Sequence, residues 1–176
     1  MPAPPILVLT GASGVGKTTI LRTLAARALP GIAAYHFDSI GVPSVAEMTA
    51  KFGSPEGWQV RMTREWIARL AANVSDDRVA VLEGQVRPSV VRDAFARSGV
   101  RTGQIVLLDC DPDVRDARLR GPRRQPDLAS AQMSMWAAYL RGQADALDLP
   151  ILDTTTGAPE VLVDRLLRHV RALTPG

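Results

Sequence analysis

Gly11-Ala12-Ser13-Gly14-Val15-Gly16-Lys17-Thr18 is the stretch on which the fold turns. It matches the pattern G-x-x-x-x-G-K-[ST], whose glycines let the backbone wrap a polyphosphate with its N–H groups pointing inward. The pattern carries weight because of its neighbours. Ile6 to Thr10 upstream reads as a short buried strand, and Thr18 to Leu29 downstream as a helix with Ile20, Leu21, Leu24 and Ala28 on one face. A loop between a strand and a helix N-terminus adds the helix's unpaired N–H groups and dipole to the cradle. Lys17 is then placed to reach the β- and γ-phosphates, and the Thr18 hydroxyl to hold Mg²⁺. The backbone of residues 11–16 and the helix start through Thr19 complete the nucleotide contacts. The chain has only two lysines, Lys17 and Lys51, against nineteen arginines, so a lysine at this position is not an accident of composition. The expected ligand is a nucleoside triphosphate, with ATP and Mg²⁺ as the pair.

Outward from the loop, apolar strands alternate with helix patterns. The strands are 32–37, 78–82, 104–108 and 149–152, and the helices fall within 44–74 and at 88–97, 112–120, 127–147 and 159–173. Gly53-Ser54-Pro55 breaks the long helical stretch. Five buried strands separated by helices predict an α/β fold with a parallel sheet covered on both faces. Ligands then collect at the carboxyl edge of the sheet. Asp38, Glu83, Asp109 and Asp153 each follow an apolar strand directly, so the expected edge is acidic.

Bulk properties narrow the class. The 176 residues are 46% hydrophobic and 22% charged, which suits one globular domain. No apolar run approaches the roughly 18–20 residues needed to cross a bilayer, and Met1 to Pro5 reads as a proline-rich lead-in. The single cysteine, Cys110, permits no intrachain disulfide and fits a reducing, cytoplasmic setting as a buried, inert thiol. The net charge of +3 is a weak nucleic-acid signal, and the arginines are dispersed except for five between Arg115 and Arg124. That cluster reads as serving one polyphosphate, because a nucleic-acid groove needs a broader basic patch with interleaved aromatics.

The order of these features resembles the P-loop small-molecule kinases, a group that includes adenylate, shikimate and gluconate kinases and the chloramphenicol phosphotransferases. The resemblance spans nearly the whole chain. It implies a three-layer P-loop NTPase fold with a five-stranded parallel sheet in the order 2-3-1-4-5. It also implies one domain over residues 1–176, with acceptor-side helices at about 44–74 and a short lid at about 120–127. Glu83-Gly84-Gln85-Val86-Arg87 is similar to the Asp-Gly-Phe-Pro-Arg that ends the third strand of adenylate kinases. By that likeness Glu83 holds the Mg²⁺ hydration shell and Arg87 meets the acceptor or the transferred group. Glu is one methylene longer than Asp, which permits outer-sphere metal binding or activation of a hydroxyl or water.

Asp38 follows the second strand, where shikimate and gluconate kinases place the Asp that binds the acceptor hydroxyl, as base or as orienting group. A turn-forming Asp before Ser39 and Gly41 is the plainer alternative. His36 reads as a packing or surface histidine. Arg118 matches the helix arginine of the adenylate kinase lid, and Arg123 its second arginine. Guanidinium groups suit phosphate because they stay charged and engage oxygens in pairs. Arg87 or Arg64 is the expected partner of an anionic acceptor.

The helix beginning at Trp58 carries a stripe of Trp58, Met62, Trp66, Ile67, Leu70 and Val74. It is read first as core, with a wall for a partly apolar or ring-bearing acceptor as the second possibility. Asp153-Thr154-Thr155 after the fifth strand receives no definite role. The reading that collects most of these features is a kinase transferring the γ-phosphate of ATP to a small-molecule hydroxyl. Two alternatives stand beside it: a nucleotide-binding module or slow NTPase acting on a protein partner, and a polynucleotide 5′-hydroxyl kinase. No partner membrane is expected.

Overall fold

The fold follows from two alternating sets of side chains on one sheet. A computed structural model describes residues 3–75 and 77–174. Its strands are β1 (Ile6–Thr10), β2 (Ile32–His36), β3 (Val79–Glu83), β4 (Gly103–Asp109) and β5 (Ile151–Asp153). The helices are α1 (Lys17–Ala26), α2 (Val45–Phe52), α3 (Pro55–Asn73), α4 (Pro88–Arg97), α5 (Pro112–Arg120), α6 (Ala131–Ala146) and α7 (Pro159–Leu173). All strand pairings are parallel and the order is β2-β3-β1-β4-β5, as the resemblance implies.

Alternation along each strand assigns the layers. Leu7, Leu9, Val79, Val81, Val106 and Leu108 pack against Ile20, Leu21 and Leu24 of α1 and Leu162, Val163, Leu166 and Leu167 of α7. Ile6, Val8, Ala80, Leu82 and Ile105 point the other way, onto Trp58, Trp66, Ile67 and Leu70 of α3 and Val91, Ala94 and Phe95 of α4. Every residue of β1 and β3 is buried, because both neighbours and both faces are occupied. Trp58 and Trp66 are therefore core residues, 8% and 6% exposed, and the first reading of the α3 stripe holds.

Register decides what meets at the carboxyl edge. His36 pairs with Glu83, and Leu9 lies on the other side of Glu83. Among the boundaries that differ from expectation, two bear on the site. β2 stops at His36, and Phe37–Ile40 form a 3₁₀ turn that carries Asp38. The helix expected from Asp127 instead begins at Ala131, because Pro126–Leu128 take a 3₁₀ turn and Ser130 caps the helix by accepting from the Met133 N–H at 3.2 Å. The segment between α5 and α6 is thus longer than the expected lid, and residues 121–127 are all exposed. No helix of the described residues is long and apolar enough to cross a membrane.

Candidate active site

The loop between β1 and α1, the expected phosphate loop, leaves the first N–H groups of α1 without a side-chain cap. Gly16, at φ 99° and ψ 10°, is the N-cap of α1 and offers no side chain to its first N–H groups. A side chain would strain this left-handed backbone, and a capping hydroxyl would compete with a phosphate. No acid lies in the first turn either. Lys17 is buried at 7% exposed, and its Nζ donates to the carbonyls of Gly11 and Ala12 at 2.8 and 2.9 Å. Burial pushes the Lys17 ammonium down to about 8, with Glu83 pulling it back up and Arg123 lowering it further.

The back of the loop is held from the far side of the sheet. Thr154, 1% exposed, donates its hydroxyl to the Val15 carbonyl at 2.6 Å. Arg118 reaches the same residue, donating through Nη2 to the Thr154 carbonyl at 2.6 Å and through Nη1 to Thr154 Oγ1 at 3.3 Å. Thr154, to which the sequence attached no role, is therefore the tie between β5, α5 and the phosphate loop. A cavity of about 300 Å³ opens here, lined by Gly14, Gly16, Thr18, Thr19, Arg118 and Arg123, among others.

A second, polar cavity of about 80 Å³ adjoins it through Thr18 and Arg123, and gathers Lys17, Asp38, Glu83 and Gln85. Glu83 is 7% exposed, and its Oε1 accepts from the Thr18 hydroxyl at 3.4 Å and lies 2.9 Å from His36 Nδ1. His36, read from the sequence as a packing or surface histidine, is thus a neighbour of the site's central carboxylate. Its signal was the in-register pairing of two strand ends, which no single strand displays. Asp38 arrives because the Phe37 turn closes onto Gly84, where a Cβ would lie 2.7 Å from the Cβ of Phe37. The Trp66 indole locks that turn by donating to the Phe37 carbonyl at 3.0 Å. Partial burial, and then the charge of Glu83, raise the Asp38 carboxyl above the usual carboxylate value.

A third cavity, of about 540 Å³, shares Gln85 with the second. Arg87 lines it, donating to Gln59 Oε1 at 2.5 Å and facing the Trp136 ring at 4.9 Å. Gln59 in turn donates to the Gln85 carbonyl at 2.6 Å, and Ser13 of the phosphate loop donates to Gln85 Oε1 at 2.9 Å. The loop after β3 therefore links the phosphate loop to the third cavity. Thr10 anchors its base, accepting from the Val86 N–H at 3.2 Å and donating to the Val86 carbonyl.

Two expected arginine roles are redrawn. Arg64 lies on the exposed side of α3 in a bond to Asp93 of α4, 2.9 Å away, and lines none of the three cavities. The Arg115–Arg124 cluster does not act as one set. Arg115 is 2% exposed and donates to Ser134 Oγ at 2.9 Å, tying α5 to α6, while Arg118 and Arg123 alone of the five line the first cavity. The aromatic wall also comes from elsewhere: Trp136 and Tyr139 of α6 line the third cavity, whereas Trp58 and Trp66 stay in the core. Cys110 is buried and its thiol is raised by burial, as an inert thiol should be.

With this geometry in view, the chain shares its three-layer α/β fold with several solved structures. It is similar to a shikimate kinase from Acinetobacter baumannii in complex with shikimate, at 19% identity and TM-score 0.62, over 96% of this chain and 94% of that one. A gluconokinase from Sinorhizobium meliloti is 16% identical with TM-score 0.63, over 99% and 95%. A shikimate kinase from Aquifex aeolicus is 18% identical with TM-score 0.64, over 95% and 96%. No protein-family model matches the chain, and no curated protein sequence does.

Proposed function

We propose that this protein is a P-loop small-molecule kinase that transfers the γ-phosphoryl group of ATP, with Mg²⁺, to a hydroxyl of a small acceptor. One observation carries the reading. A small polar chamber holding Lys17, Thr18, Asp38, Glu83 and Arg123 shares Thr18 and Arg123 with the cavity beside residues 14–19, and shares Gln85 with the large cavity under α6. A donor on one side and an acceptor on the other would react in that chamber.

The roles follow from chemistry. Nucleotide phosphates would draw Lys17 away from the Gly11 and Ala12 carbonyls and give its ammonium a better partner. Thr18 Oγ1 and the Glu83 carboxylate, 3.4 Å apart, form an oxygen pair of the kind that a hard cation such as Mg²⁺ accepts alongside phosphate oxygens and water. When bound, that cation neutralises charge building on the phosphates. His36 holds Glu83 in place from the neighbouring strand. Asp38 orients the acceptor hydroxyl and takes its proton as the acceptor oxygen bonds to the γ-phosphorus. The bond from that phosphorus to the bridging oxygen breaks, and ADP leaves with the electrons. The raised Asp38 carboxyl is a better base than a free carboxylate. Arg123, exposed on the segment after α5 and facing both the first cavity and the chamber, supplies positive charge to the moving phosphoryl group. Arg118 fixes the phosphate loop through Thr154 and flanks the nucleotide.

The test is ADP release from Mg²⁺-ATP with pooled alcohols, beside a no-acceptor control, Lys17→Ala and Asp38→Asn. Stimulation by one pool, lost in both variants, is expected. Equal turnover in every well, control included, would refute the transfer reading and favour a plain NTPase.

A further inference from the structure

The third cavity has a chemistry of its own. Its apolar wall is Met133, Met135, Trp136 and Tyr139, side chains that α6 turns toward the loop after β3. Trp136 and Tyr139 stack at 5.3 Å between ring centroids with 21° between planes. Met135 and Tyr139 remain 67% and 42% exposed, so large apolar surface faces an open cavity rather than the core. The indole N–H of Trp136 is buried and has no hydrogen-bond partner.

Charge points the same way. Among the described residues lining this cavity, Arg87 is the single cation, and it is already engaged by Gln59 and the Trp136 ring. Glu56 and Asp127 place two carboxylates on the same wall set. A sugar acid or a phosphorylated alcohol would share Arg87 with those partners and sit near two like charges. A flat ring meets no such opposition. It would lie against the stacked Tyr139–Trp136 pair, as aromatic rings do.

Building on the kinase reading, we infer that the acceptor is a ring-bearing alcohol without an anionic group, such as an aryl alcohol, a hydroxymethyl heterocycle or a nucleoside. Its ring occupies the cavity under α6, and its hydroxyl extends past Gln85 toward Asp38. This would set its substrate apart from the acids handled by a shikimate kinase or a gluconokinase.

Calorimetric binding and ADP release separate the two layers of the claim. The full-length protein, loaded with Mg²⁺ and a non-hydrolysable ATP analogue, is titrated with 2-phenyl-1,3-propanediol, 3-pyridinemethanol and adenosine, and with gluconate and shikimate. At least one ring alcohol is expected to bind tenfold or more tightly than either acid. Tyr139→Ala, a change at an exposed position, should weaken that binding at least tenfold while ATP-analogue affinity and the circular dichroism spectrum stay as in the wild type. Tighter binding of gluconate or shikimate, lost in Arg87→Met, would overturn the inference and make Arg87 an anion clamp. Failure of all three ring alcohols to bind would overturn it as well, as would ring binding indifferent to Tyr139→Ala. ADP release with ATP is read separately: ring alcohols that bind without stimulating it support the site and refute the kinase reading.

Discussion

The proposed nucleotide side and the proposed acceptor side of the chamber are made in opposite ways. Residues 11–18 form a single contiguous run, pinned between a fully buried strand and α1 and tied from behind by Thr154. The acceptor side is assembled from the start of α3, the loop after β3, the segment after α5 and α6, and much of its surface is exposed. A polyphosphate is the same in every reaction of this kind, so its cradle can be rigid and local. An acceptor varies, and a wall drawn from separate elements can be changed without disturbing the cradle. The difference predicts that damage to the first region should cost both stability and chemistry, whereas damage to the second should cost specificity alone.

The largest effect should come from Lys17→Ala. Loss of the buried ammonium should lower ATP turnover roughly 10³-fold or more, in the range seen when one charge-stabilising group is removed from a phosphoryl or oxyanion site. Steady-state ADP release would show it, and a residual activity near the wild-type level would break the assignment. Asp38→Asn comes next, with kcat expected to fall roughly 10²-fold or more while ATP-analogue affinity holds. A matching loss of nucleotide affinity would instead place Asp38 with the cradle.

Thr154→Val tests the tie behind the loop. It leaves the Val15 carbonyl and the Arg118 guanidinium short of a partner, so unfolding stability should drop by about 1–3 kcal/mol and nucleotide affinity with it. Tyr139→Ala, at a 42% exposed position on the acceptor side, should cost under about 1 kcal/mol in the same denaturation experiment. Equal losses in the two variants would erase the contrast between the regions.

A pair of opposed pH trends centres on Lys17. Burial holds its ammonium near 8 in the folded chain against 10.5 as its ordinary value, so between those values the unfolded chain binds more protons. Stability of the nucleotide-free protein should therefore rise with pH across that window. ATP binding needs the charged form, so affinity should begin to fall as pH passes about 8. Parallel thermal melts and titrations at pH 7 to 10 would check both, and Lys17→Met should flatten each.

Most of the sheet was legible from residue order, because buried parallel strands are apolar throughout and helices announce themselves by period. Helix α4 and helix α7 were legible to the residue, each opening on a proline, Pro88 and Pro159, that suits a first helical turn. The start of α6 was not, since Asp127 and Ser130 are both plausible caps and only Ser130 is followed by helical backbone. Arg64 was misplaced because a helix period says which residues share a face but not which neighbour that face meets; here it meets Asp93 of α4.

Composition, strand–helix alternation and residues 11–18 were enough to predict a parallel sheet with a glycine-rich strand–helix turn at its carboxyl edge. Both signals are local, each residing in a few consecutive residues whose backbone geometry is nearly independent of the rest. The Glu83–His36 contact, the turn that brings Asp38 over Gly84, and the choice of Trp136 rather than Trp58 or Trp66 as the cavity wall came from packing instead. Each joins residues far apart in the chain, so its position depends on strand register and helix docking, and these are settled only when both faces of the sheet are covered.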